Sequence, residues 1–448
     1  MSRTNFLHFF FSCRTMYYSN MHLQLFLFLF FLFFFKQEFT TGVDRSFSCQ
    51  SVVNLQRDNM GTKIEIIDLT EAKKSLIWNR LLLKYVGIWP LEISNALFLF
   101  FFIYLSLHCS LTFAELTRCK HDFDVYMVIF SEYILHLMTL IKITTCWKNR
   151  RALGRLLVEI QNNFIVDKYN TFEKRFIFIK YTKMAKYYVL VAVTTMTFSI
   201  AFYYVNALLL NIKMVISNSS LSYKLPYKTR AIVDIRDIRV YIFLCIYQML
   251  LVPSIILGFV GFDCLFANLA FHITAQFGIL SSMLKEILND SNGFQYNIKE
   301  LLLRHYVLIR QAKTLEDNFN VIILQQLMGT TFQLCSSAYN TILDTVSKET
   351  LTLIIFCFYA LSTLSTLFLY CYIGECLIQE SLSLSNAIYR YEWYNMSPMN
   401  LKMLIICMLR MKRPEQLTSG KFFVLSLTSF TDILKTTMGY LSLLRTLL

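Results

Sequence analysis

Apolar residues in this chain come in long blocks separated by short polar and basic stretches. From Met60 onward the blocks run from about Trp89 to Leu111, Tyr126 to Cys146, Tyr187 to Leu210, from near Val240, and then Val321 to Tyr339, Leu351 to Tyr372 and Phe422 to about Leu444. Each approaches the roughly 20 residues that cross a hydrocarbon core as a helix. Lipid offers backbone N–H and C=O groups no partner, so each block must satisfy its own as a helix. No run shows the alternation of a membrane β-strand. The pattern predicts an all-α membrane protein with seven transmembrane helices.

Some blocks are too long for one crossing. From Val240 to Leu280 the chain stays apolar for about 41 residues, roughly 60 Å as a helix, or twice a hydrocarbon core. Pro253 and the glycines at 258 and 261 are expected to bend it, and Asp263, His272 and Gln276 fall in its later half. Leu301 to Phe319 leads into the fifth span with helical periodicity, and the sixth continues beyond Tyr372. The expectation is a cytoplasmic anchor module built from about 262–320 and 373–421, with the last span at about 422–445.

The first 59 residues stand apart. Leu23 to Phe35 is apolar except for Gln24, short for a span and closer to a signal-peptide core, yet Lys36-Gln37-Glu38 follows where a small-residue cleavage site is needed. Residues 1–59 are expected to be an atypical extension, either an uncleaved leader or sequence upstream of a start at Met60, and 60–448 the helical domain.

Composition agrees with lipid: 56% of the 448 residues are hydrophobic and 16% charged. The net charge of +14 is scattered between apolar blocks and not gathered on one face, which argues against nucleic acid. Lys and Arg concentrate before the first span and after the second, fourth and sixth, so the positive-inside rule places the N terminus in the cytoplasm. One loop disagrees: the segment after the third span carries Lys213, Lys224, Lys228, Arg230, Arg236 and Arg239, yet falls outside. The same loop holds a sequon, making Asn218 a candidate glycosylation site. The 12 Cys form no C-x-x-C pair, so neither a metal nor a cofactor is expected. Catalytic signatures such as G-x-S-x-G and H-E-x-x-H are absent from the sequence, and no enzyme activity is expected. A transporter would show internal repeats, which are not seen.

Specific motifs lie toward the C terminus. Leu369-Tyr370-Cys371-Tyr372-Ile373-Gly374-Glu375 is followed by Glu380-Ser381, Ala387-Ile388-Tyr389 and Trp393-Tyr394. Then come Arg410, Lys412-Arg413-Pro414, Leu417-Thr418, Gly420-Lys421-Phe422, Ile433-Leu434-Lys435 and Gly439-Tyr440-Leu441-Ser442-Leu443-Leu444-Arg445. In order and spacing this series resembles the insect odorant receptors, with Tyr370, Gly374, Glu375, Trp393, Pro414 and Lys435 as motif or assembly positions. Thr437-Met438-Gly439-Tyr440 stands where the family more commonly has Ser-Tyr-Ser-Tyr. A gustatory-type receptor is disfavoured by Gly439-Tyr440, and a G-protein-coupled receptor by the charge pattern and the lack of a D-R-Y-like triplet.

The resemblance implies an odorant-binding subunit of a hetero-tetrameric, non-selective cation channel, formed with the odorant receptor co-receptor in the plasma membrane of an olfactory sensory neuron. It places a small volatile organic ligand in the outer halves of spans two, three, four and six, with help from five, where the candidates are Tyr133, Phe198, Phe202, Tyr203, Tyr241, Tyr247 and Phe358. It places a pore along the seventh span, constricted near Tyr440, Leu443 and Leu447, where hydrophobic rings gate by dewetting. Two intramembrane pairs also bear on function: Asp432 with Lys435, and Glu132 with His136, which pair locally or take a polar role.

Overall fold

The computed structural model describes residues 70–162, 171–216, 225–230, 237–289, 294–347, 350–391 and 393–446. The extension 1–59, Asn218 and Leu447 lie outside these residues. The helices are α1 (Thr70–Tyr85), α2 (Asn95–Arg118), α3 (Phe123–Lys148), α4 (Arg150–Gln161), α5 (Phe172–Ile216), α6 (Ile238–Met249) and the one-turn α7 (Leu251–Ser254). A π-helical segment, Ile255–Val260, joins α7 to α8 (Gly261–Asn289). Then follow α9 (Phe294–Ser347), α10 (Thr350–Tyr389), α11 (Pro398–Met411), a hairpin of β1 (Thr418–Ser419) and β2 (Phe423–Val424), and α12 (Leu427–Thr446).

Local chemistry explains the boundaries. The first span starts at Asn95 and not at Trp89, because Gly87 to Ser94 form a turn closed by a bond from Ser94 N to Gly87 O of 3.2 Å, with Trp89 buried beneath it. Asp122 caps α3 by accepting from Val125 N at 3.3 Å, and Asp237 caps α6 by accepting from Arg239 N at 2.9 Å. Between Pro253 and Gly261, where a bend is expected from sequence, the fourth apolar block carries the π segment, in which the backbone repeat is widened. Spans five and six are parts of continuous helices of 54 and 40 residues. The seventh starts at Leu427, later than the expected Phe422. Gly420 and Lys421 both take left-handed φ, of 60° and 67°, as a tight hairpin requires, and this puts Phe422 in a turn.

Five of the described helical segments are long and apolar enough to cross a membrane: Asn95–Arg118, Phe123–Lys148, Phe172–Leu209, Ile238–Leu288 and Cys357–Tyr389. α10 is central, packed against α5, α8, α9, α11 and α12. α9 and α12 fall short of that apolar threshold because they carry polar faces. On α9 the buried side includes Gln326, Thr330, Gln333, Ser336 and Asn340. Ser336 donates to the Met127 carbonyl at 2.9 Å and Tyr339 to Asp124 at 2.6 Å, so this polar face is partly satisfied by α3.

At the end of the bundle carrying α11 and the hairpin, the contacts become polar and charged. Arg310 pairs with Glu159 at 3.2 Å, Lys174 with Glu286 at 2.6 Å and Lys421 with Asp317 at 2.9 Å, while Tyr181 donates to Glu380 at 2.6 Å. His305 is buried there, edge-on to Phe277. Burial, aided by the Arg410 charge, lowers its imidazole from 6.5 to about 4. The unfolded chain then binds that proton more readily, so His305 contributes stability that is present above 6.5 and lost as pH falls toward 4. The melting temperature of the purified protein is expected to drop between about pH 7 and about pH 5, and His305→Phe should flatten part of that drop.

Gly374 of α10 sits directly under the chain leading into α12. A Cβ there would collide with the carbonyl oxygen of Leu425, a backbone atom that cannot swing aside. Gly374→Ala is expected to cost about 1–3 kcal/mol, measurable as a lowered melting temperature in detergent, whereas Gly439→Ala, with open space around it, should leave it near the parent value.

Candidate ligand site and its coupling to the last helix

Two clusters of buried polar side chains lie between the helices. The first joins α2, α3, α5 and α6 under the short segment 225–230. Glu132 of α3 accepts from the Tyr203 hydroxyl of α5 and, at 3.0 Å, from Lys228 N. The Gln248 side chain pairs with both backbone groups of Tyr227, each at 2.9 Å, as an adjacent strand would. Segment 225–230 is thereby pinned over the bundle with Tyr227 buried below it. Around Tyr227 stand His136 at 5.3 Å, Tyr203 at 5.7 Å, His108 at 6.2 Å and Tyr204 at 6.3 Å between ring centroids. Tyr104 donates to the Tyr247 carbonyl at 2.8 Å and Tyr204 to that of Cys245 at 2.6 Å. The result is an aromatic cluster, a chamber of closely packed rings with a few fixed polar groups, the side-chain chemistry that suits small organic molecules.

Of the residues expected to line a ligand site, Tyr203 and Tyr247 belong to this chamber, and the Tyr241 hydroxyl is buried beside Cys245. Tyr133 is half-buried and packs on Phe113. Phe198 and Phe202 stack on each other and are 55% and 46% exposed on the outer face of α5, and Phe358 is 39% exposed. These three phenylalanines are not brought into the chamber. Glu132 pairs with Tyr203 and the segment at Lys228 rather than with a cation on its own helix. His108, Tyr104, Tyr227 and Gln248 were not singled out from sequence. His108 carried a signal: an imidazole inside an apolar span has to be explained by a partner or a role.

The second cluster lies further along the same helices. Lys142 of α3 donates to Asp263 of α8 at 2.6 Å, and the Tyr370 hydroxyl of α10 donates to the same oxygen at 2.7 Å. Both ions are essentially unexposed, at 0% and 2%. The ammonium also sits 3.3 Å from the centre of the Phe259 ring, in the π segment, and Tyr370 stacks on Phe266 at 4.9 Å. Asn79 of α1 donates to the Cys264 carbonyl at 3.1 Å, tying a fourth helix to the same spot.

One turn beyond Tyr370, Gly374 meets Leu425 and Glu375 accepts from Leu427 N at 3.3 Å, which places a carboxylate at the N terminus of α12. α12 itself packs on its own subunit through Phe430 and Thr437, both buried. Its other side is open and polar: Thr428, Thr431, Asp432, Lys435, Thr436 and Ser442 are exposed, as is Tyr440 at 56%. Asp432 and Lys435 pair at 3.5 Å on that open side. Leu443 falls within α12. Trp393 lies edge-on to Tyr394 in a 3-10 turn, and Pro414 follows the end of α11. Among the described residues no group of three or more His, Cys, Asp or Glu is arranged to hold a metal.

A family profile described as 7tm Odorant receptor matches residues 123–438, from the start of α3 into α12. The chain belongs to this family. Odorant receptor 22c of Drosophila melanogaster is 28% identical over 202 residues, covering 44% of this chain and 49% of that receptor. The odorant receptor coreceptor of Aedes albopictus is 27% identical over 186 residues, 38% of each. By these alignments the chain spans about half the length of the curated relatives it matches. The olfactory receptor OR5 of Machilis hrabei, solved in complex with eugenol, superimposes with a TM-score of 0.72 at 15% identity, over 85% of this chain and 100% of that one. A second structure of the same receptor gives 0.70 at 14% identity, over 84% of this chain and 99% of that one. The fold is thus the seven-helix membrane fold of the odorant receptors, and α9 and α12 supply the two spans whose polar faces kept them below the apolar threshold.

Removing one member of the second cluster leaves the other charge buried and unpaired. Asp263→Leu and Lys142→Met are each expected to cost about 3–5 kcal/mol, and the double variant much less than their sum. A thermal-stability double-mutant cycle on the purified protein measures this, and strict additivity would refute the pairing.

Proposed function

We propose that this chain is the odorant-binding subunit of a ligand-gated cation channel, assembled with a co-receptor as a hetero-tetramer in the plasma membrane of olfactory sensory neurons. The observation that carries the reading is the open polar face of α12. Thr428, Thr431, Asp432, Lys435 and Ser442 on a membrane-crossing helix are costly against lipid and are accommodated where the helix lines water or faces another subunit. The family membership supports it, as does the likeness to a coreceptor and to a receptor solved with eugenol.

In this reading the N terminus is cytoplasmic and segment 225–230, with the sequon at Asn218 nearby in sequence, faces outside. The ligand enters the chamber around Tyr203, Tyr227, Tyr247, His108 and His136, with Tyr133 and Tyr241 at its margin. The parts of α8 to α11 in about 262–320 and 373–421 form the cytoplasmic anchor, and Tyr440, Leu443 and Leu447 narrow the pore.

Binding moves the pore because the two clusters share helices. Glu132 and Lys142 both lie on α3, and Gln248 and Asp263 on one continuous run through the π segment. A shift of α3 against that run is felt at the Asp263 carboxylate, which Tyr370 holds to α10. Gly374 and Glu375, one turn further on, contact the entry to α12. An element with two arrangements at the π segment would transmit the occupancy of the chamber to the last helix.

The test is electrophysiological. Thr436→Cys, one turn before Tyr440 on the same stripe of α12, is expected to make odorant-evoked current in the co-expressed channel sensitive to a charged thiol reagent added from the aqueous side, whereas Phe430→Cys, buried against the subunit's own helices, is not. Current that required G-protein signalling, or equal insensitivity of both variants, would overturn the reading.

A further inference from the structure

The chamber holds many polar groups, and nearly all are spoken for. Both Glu132 oxygens accept, from the Tyr203 hydroxyl and from Lys228 N. The Gln248 amide is taken by Tyr227 and Thr229. The Tyr104 and Tyr204 hydroxyls each donate to a carbonyl. Three side chains differ. His108 and His136 are completely buried and none of their ring nitrogens meets a hydrogen-bond partner, and the Tyr247 hydroxyl is buried in the same condition. The His108 and Tyr247 rings are 6.1 Å apart, with the His136 ring edge-on to His108 at 4.7 Å.

A neutral imidazole carries one donor and one acceptor nitrogen, and a phenolic hydroxyl does both. Leaving such groups unpaired in an apolar interior is costly. An ether, ketone or aldehyde offers only acceptors, an ammonium only donors, and a hydrocarbon neither. One hydroxyl oxygen donates and accepts at once, so it can serve an imidazole nitrogen and a phenolic hydroxyl together. We infer that the chamber selects neutral ligands bearing a hydroxyl group, an alcohol or a phenol, held between the His108 imidazole and the Tyr247 hydroxyl, with the apolar remainder against the surrounding aromatic rings. The inference rests on the chamber being the odorant site of the proposed channel.

The full chain co-expressed with a co-receptor is to be tested under voltage clamp with hexanol, hexanal, hexylamine, hexane, phenol and anisole. Hexanol and phenol are expected to act at concentrations about tenfold or more below their non-hydroxyl counterparts, the discrimination of roughly one well-made buried hydrogen bond. His108→Phe and Tyr247→Phe keep a ring in place without the polar atoms, and each should collapse the ratio of hexanol to hexanal sensitivity. A purely structural role would change expression or maximal current without moving that ratio. Equal sensitivity across the series, a preference for hexylamine, or a hydroxyl preference that survives in both variants would overturn the inference while leaving the channel reading intact. If no compound evokes current, thermal shifts of the purified full chain with the same six compounds separate the two ideas. A hydroxyl-selective shift abolished by either variant sustains the ligand class and counts against the channel, and a shift without that selectivity overturns the ligand class.

Discussion

A lysine and an aspartate buried between three membrane helices impose the constraint on which the rest of this fold depends. In a low-dielectric interior an isolated charge is costly enough that Lys142 and Asp263 cannot be separated without loss of the packing around them. Tyr370 adds its hydroxyl to the same carboxylate oxygen, so α3, α8 and α10 are held at one point. That point lies immediately after the π segment. A π-helical stretch is rare inside a helix, and its place here is explained by what it positions: Phe259 under the Lys142 ammonium and Asp263 within reach of both donors.

The arrangement divides the bundle into two layers of different chemistry. Above the ion pair, aromatic rings and hydrogen bonds from hydroxyls, an amide and the Glu132 carboxylate dominate, and a segment without regular structure closes the top through the Gln248 side chain. Below it, ion pairs connect α4 with α9, α5 with α8 and the hairpin with α9. From Gln248 to Asp263 is roughly 22 Å along a helix at its usual rise, so the layers are joined by rigid elements rather than by loops. Packed interfaces of this kind switch between arrangements more readily than they deform. A site in the upper layer is therefore mechanically connected to α10, and through Gly374 and Glu375 to α12.

The helical class and most span positions were legible in the hydropathy pattern, because a backbone in lipid has no alternative to the helix. The motif glycine and glutamate at 374 and 375 were recognisable as a pattern, but their role depends on Leu425 and Leu427, which only the fold brings near. Lys142 and Asp263 are 121 residues apart, and neither periodicity nor composition links them. Phe198, Phe202 and Phe358 show the limit of reading a site from residue type: phenylalanine suits lipid as well as it suits a ligand, so its presence in the right stretch does not say which way it points. Histidine is more informative. His108 and His136 have no reason to face lipid, and their burial follows from polarity alone.

The same argument explains the two spans that composition undervalues. α9 and α12 are the least apolar of the seven, α9 with amides and hydroxyls turned inward and α12 with threonines and an ion pair turned outward from its own subunit. Inward polarity on α9 is met in part by α3, through Ser336 and Tyr339. Outward polarity on α12 has no such partner within the described residues of one chain beyond its own helix. A membrane helix with that surface is incomplete as a monomer, because hydrocarbon would leave its polar side chains unsolvated. What makes α12 look like a poor transmembrane segment is therefore the physical requirement for a neighbouring subunit, water, or both.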